Sequence, residues 1–168
     1  MEASDELLTI AELAIGLAGF SGVAVVFRGR EGLRIVDRYR FMSVLSVSLS
    51  VLVLAFVPFG FHHAGQVGPA LWMGSSAIMV VFWFSSAWLL GVRFRPDFSA
   101  VDEQLPKQVE FVIWGLGTLN LVLAVANLSG WPMQSGALFY LAALVSWLVV
   151  AAFLFAFLVL FGANTNKE

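Results

Sequence analysis

The chain has 168 residues, of which 60% are hydrophobic and only 12% charged. That is more apolar surface than a water-soluble domain can bury, so lipid is its expected solvent. The net charge of -2 argues against a nucleic-acid partner, and the absence of Cys excludes disulfides, thiolate nucleophiles and Cys-bound metals.

The first residues, Met1 to Glu6, are acidic rather than basic. A secretory leader starts basic and has a short apolar core. Here the first apolar run is long and its basic flank follows it, so we read a retained first span. Runs of roughly 20 apolar residues suit a bilayer crossing. Five are expected, over about 7–27, 41–61, 70–91, 111–128 and 137–162. They must be helices, because unpaired strands would strand backbone groups in hydrocarbon. The fourth is the shortest and carries Asn120 and Asn127; the fifth is overlong and is expected to tilt or project. No half of the chain resembles the other, and the loops leave no room for an aqueous catalytic domain. The expectation is therefore one all-α domain over residues 1–168: a polytopic helical membrane protein with five transmembrane helices.

All nine basic residues can lie on one side of such a bundle. Arg28, Arg30, Arg34, Arg38 and Arg40 follow the first span, Arg93, Arg95 and Lys107 follow the third, and Lys167 follows the fifth. Basic loops stay inside, which gives N-out and C-in and suggests a bacterial inner membrane. Trp72, Trp131 and Tyr140 are expected at the outer boundary and Trp88 at the inner one, as interfacial aromatics. Ser99, three before Asp102, suits a capping box for a short surface helix ahead of Pro106.

Few residues could carry chemistry. Glu12 lies about 8 Å inside the first span, at 1.5 Å per residue. An intramembrane carboxylate is costly, about 2.5–3.5 kcal/mol at the centre and less near an end. It should face protein or water, as an ion or proton site, unless it reaches back to the nearby surface. Ala14, Ala18 and Gly22 recur every four residues, a spacing that lets helices approach closely; Glu12, Gly16 and Gly19 form a neighbouring stripe. Gly117, Asn120, Ala124 and Asn127 share one face of the fourth span. We expect the first and fourth helices to touch, with Asn127 or a water meeting Glu12. The plainer alternative is that both Asn only fasten helices together. The Asn127-Leu128-Ser129 sequon abuts the bilayer and is discounted.

The second span has Ser43, Ser46 and Ser50 on one face and Ser48 on another; the third has Ser75, Ser76, Ser85 and Ser86. Such hydroxyls can line a water path or bond back to their own helix. Trp83 is a bulky anchor or a constriction. His62 and His63 are adjacent at the outer end of the second span, about 100° apart on a helix and poorly placed to share a metal. His62 could approach Glu12 and make a pH-responsive pair. The Arg28, Arg30, Arg34, Arg38 and Arg40 cluster could hold anionic headgroups, though topology alone asks for it.

No phosphate loop, HExxH motif, nucleophile elbow or pair of intramembrane acids is present, so no enzyme, cofactor or metal is expected. The expected partners are the lipid bilayer and either further copies of the chain or a larger membrane complex. Two functions follow: a small oligomeric channel or transporter built around Glu12, or a non-catalytic accessory subunit. The second draws on the charge-free fifth span with its Phe153, Phe157 and Phe161 stripe.

Overall fold

The computed structural model describes residues 3–28, 35–89, 107–130 and 136–161. Among these residues the chain is all-helical, with α1 (Ser4–Arg28), α2 (Ile35–His63), α3 (Pro69–Trp88), α4 (Lys107–Leu128) and α5 (Gly136–Phe161). Each helix is long and apolar enough to cross a membrane. The expected spans each fall within or close to one of these helices, and the helices run past the apolar stretches at several ends. α2 starts at Ile35 and so takes in Arg38 and Arg40, while α4 starts at Lys107, directly after Pro106. A helix bonds its own backbone whether its side chains are apolar or not, so hydropathy marks only the apolar part.

Turn chemistry sets the ends. Gly68 takes φ 61° just before Pro69, and Pro suits the first helical position because its missing N–H would be unpaired there anyway. Gly130 takes φ 79° and its N–H donates to the Asn127 carbonyl at 3.1 Å, which closes α4.

α5 contacts all four other helices, and α2 packs on α1, α3 and α5. The main partners of α1 are α2 and α5; those of α4 are α3 and α5. The expected contact between the first and fourth helices is therefore replaced by packing of each on α5. Asn127 meets Gly136 at the start of α5, and Asn120 meets Ala143 two turns further in, which is an antiparallel register. The core between the helices is filled by Leu54, Met79, Tyr140 and Leu144, all essentially inaccessible.

This core corrects one expectation about aromatics. Trp72 and Tyr140 are not at the bundle surface but buried, with their rings 5.8 Å apart. Both have polar tips, and the Tyr140 hydroxyl finds its partner inside the protein rather than at an interface. Trp88, at the opposite end, is 59% exposed, as an interfacial side chain should be. Trp131 and the Ser99 to Asp102 capping box lie outside the described residues.

Candidate functional site

Some polar groups in the apolar helices fasten helices to one another, others bond back to their own backbone, and one carboxylate faces away from the bundle. The fasteners come first. The Asn127 side chain donates through Nδ2 to Ser76 Oγ at 2.9 Å and to the Gly136 carbonyl at 3.0 Å, joining α4 to α3 and α5. Asn120 Nδ2 donates to the Ala143 carbonyl of α5. Trp83 Nε1 donates to the Gly117 carbonyl of α4 at 2.9 Å, so Trp83 is an anchor between α3 and α4. Asn120, Ala124 and Asn127 are all buried and Gly117 lies against Trp83. The face of α4 read from spacing is thus its inward face, but it meets α3 and α5 rather than Glu12.

A further fastener has a cause written in the sequence. Pro58 lies inside α2 and has no N–H. The carbonyl it would have served is that of Leu54, four residues earlier. Tyr140 Oη reaches across from α5 and donates to that carbonyl at 2.7 Å. Leu54, Pro58 and Tyr140 are each fully buried, so no water can take the place of the hydroxyl. Sequence inspection missed this contact, although a Pro within an apolar span names the carbonyl that needs a donor.

Glu12 is different. It is exposed on the outward side of α1, and among the described residues nothing forms a hydrogen bond or ion pair with it. Along α1, Leu7, Ile10, Ala11, Ala14 and Ser21 are buried against the bundle. Ala18 and Gly22 are half-buried toward that side. Gly16 and Gly19 share the outward side with Glu12 and have open space where a Cβ would stand. α1 therefore carries small residues on two sides. One, through Ala14, is used within the chain; the other, beside Glu12, is not.

The remaining predicted residues fall elsewhere. His62 and His63 are exposed at the end of α2, and His63 Nδ1 lies 3.1 Å from the Phe59 carbonyl of its own helix. Neither is paired with Glu12. Among the described residues no cluster of three metal-ligating side chains occurs. Of the basic cluster, Arg38 is exposed, whereas Arg40 is 7% exposed on the inward stripe of α2 with Val44, Val47 and Val51. Arg40 is thus largely covered by the protein, unlike Arg38. Arg30 and Arg34 lie outside the described residues, and Arg28 closes α1.

The arrangement leaves one carboxylate within the apolar part of the described helices, on a helix face that a second helix could approach closely. Compared with family models, curated proteins and solved structures, the chain matches none.

Proposed function

We propose that this chain forms a small oligomeric channel or transporter in a cell membrane, with copies meeting through the outward face of α1. The observation that carries the reading is the exposed position of Glu12 beside Gly16 and Gly19, on the side of α1 away from the other described helices. A carboxylate facing acyl chains costs free energy that a facing helix, a proton or a cation would relieve. Small residues beside it allow two helix backbones to come close. A two-fold contact between parallel α1 helices would hold Glu12 of the two copies at the same depth, where a shared proton or a cation could bridge them. The interior of one chain is filled by Leu54, Met79, Tyr140 and Leu144, which favours a path between copies over one through a single bundle. The one-sided basic residues favour an orientation with α1's start outside, in which Glu12 would sit nearer the outer surface.

The chain contains no Cys, so single-cysteine variants report contacts without interference. Gly16→Cys and Gly19→Cys should form cross-linked dimers in native membranes, and Leu138→Cys, exposed on α5, should not. Proton or monovalent-cation flux into proteoliposomes should fall strongly in Glu12→Gln. Equal flux from wild type and Glu12→Gln refutes the transport reading. The same α1 face could instead receive a helix of a different protein, as an accessory subunit would; cross-links from Gly19→Cys to another chain, with none between copies, would select that reading.

A further inference from the structure

Away from α1, the facing sides of α2 and α3 form an open groove of about 590 Å³ toward the end where α2 begins. That is within the usual size of a ligand site, roughly 300–1,000 Å³. It is lined by Ser46 and Ser50 of α2 and by Phe82, Ser85, Ser86 and Trp88 of α3, among others. Four hydroxyls and a set of aromatic rings thus share one recess in an otherwise apolar helix pair.

The hydroxyls are not equivalent. A serine in an apolar helix normally bonds back to its own backbone. Ser43, Ser50, Ser75 and Ser85 do so, each to the carbonyl four residues earlier at 2.8–2.9 Å. Ser46 and Ser86 do not. Among the described residues Ser46 Oγ has no hydrogen bond, and Ser86 Oγ has only Ser50 Oγ at 3.4 Å, which is long for an O–H···O bond. Two donors in the groove therefore remain available to an acceptor that does not belong to either helix.

The surroundings identify that acceptor's chemistry. Ser86 lies within a turn of Trp88, which is 59% exposed at the end of α3, where an interfacial aromatic is expected. Ser50 and Ser86 touch, so Ser46, one turn further toward the same end, is at a similar or shallower depth. Arg38, Met42 and Ser46 form one stripe of α2 at four-residue spacing, and Arg38 is exposed. From the bilayer outward, the groove thus presents apolar rings, then hydroxyl donors, then a cation. A phospholipid presents the matching order of acyl chain, ester oxygens and charged headgroup.

We propose that the groove holds one anionic phospholipid of the leaflet on the basic side. Its ester oxygens accept hydrogen bonds from Ser46 and Ser86, an acyl chain lies along Phe82, and its headgroup is drawn to Arg38. This site is independent of Glu12 and of the oligomer proposed above.

The test uses the full chain in vesicles of equal parts phosphatidylglycerol and phosphatidylcholine, released in mild detergent for native mass spectrometry. Wild type should retain one phosphatidylglycerol per chain in preference to phosphatidylcholine. Ser46→Ala with Ser86→Ala should weaken retention about tenfold or more, the loss expected for two ordinary hydrogen bonds. Ser85→Ala should retain lipid as wild type does, because its hydroxyl already serves Val81. Arg38→Gln should keep a bound lipid but lose the preference for phosphatidylglycerol. Wild-type retention of both lipids in the vesicle proportion overturns the proposal without any variant. So does equal retention by wild type and the double variant, or an equal loss in Ser85→Ala.

Discussion

Replacing Tyr140 by Phe removes one oxygen and tests whether the gap left by Pro58 governs the α2–α5 contact. The ring and its packing on Trp72 stay, so the change is confined to the donor of the 2.7 Å bond to the Leu54 carbonyl. A buried acceptor left without a donor costs about 1–3 kcal/mol. Side-chain hydrogen bonds inside membrane proteins average about 0.6 and reach about 1.7 kcal/mol, because the unfolded helices find other partners. The Leu54 carbonyl has neither a helical N–H nor water, which places Tyr140→Phe at the upper part of that range, about 1–2 kcal/mol. The decisive measurement is a double-mutant cycle with Pro58→Ala. Alanine restores the N–H that can serve Leu54, so the hydroxyl becomes redundant. Reversible unfolding in mixed micelles should show Tyr140→Phe costing about 1 kcal/mol less in the Pro58→Ala background than in wild type. If the two substitutions are additive within about 0.5 kcal/mol, the hydroxyl is not compensating for the proline and the reasoning fails.

Other substitutions probe the same bundle. Asn127→Leu should lower stability by about 1–3 kcal/mol, since it leaves Ser76 Oγ and the Gly136 carbonyl without their donor; unfolding in mixed micelles reads it. Gly136→Ala should cost about 1–3 kcal/mol in the same assay, because the new Cβ would stand 3.0 Å from Trp72 Cβ and 3.1 Å from Asn127 Oδ1. Gly19→Ala, by contrast, should change the stability of a dispersed monomer by less than about 0.5 kcal/mol, as nothing stands within 4 Å of its Cβ position. Glu12→Gln should likewise leave monomer unfolding almost unchanged while altering self-association in mild detergent, and a large loss of monomer stability would mean that Glu12 has a partner within its own chain.

Sequence and structure agree where one physical signal decides. Long apolar runs located all five helices, because the length needed to cross hydrocarbon is fixed and the backbone must bond to itself. Spacing also gave the inward face of α4, since Asn120 and Asn127 in apolar surroundings must point at protein. Spacing does not name the helix on the other side. Asn127 found Ser76 and Gly136 because α4 packs on α3 and α5, a matter of bundle geometry that no single helix encodes. The small residues of α1 were ambiguous for a related reason: Ala14 and Gly19 are on different sides, and either side could have been the internal one. Trp72 and Tyr140 were misplaced because an aromatic near a span's end suits an interface and a polar-tipped core equally well.

The central place of α5 also bears on the order in which this protein can be built. Ribosomal synthesis delivers α1 to α4 before α5, yet the acceptors for Asn120 and one of those for Asn127 are on α5, as is the donor for Leu54. Until α5 arrives, the four earlier helices have only partial fastenings and expose amide and carbonyl groups within the bilayer. A nascent chain halted before Gly136 would therefore be a loose set of spans seeking hydrogen bonds elsewhere, an expected client for insertion chaperones and membrane proteases. The hub of the finished bundle is the piece that reaches the membrane after the parts it must hold.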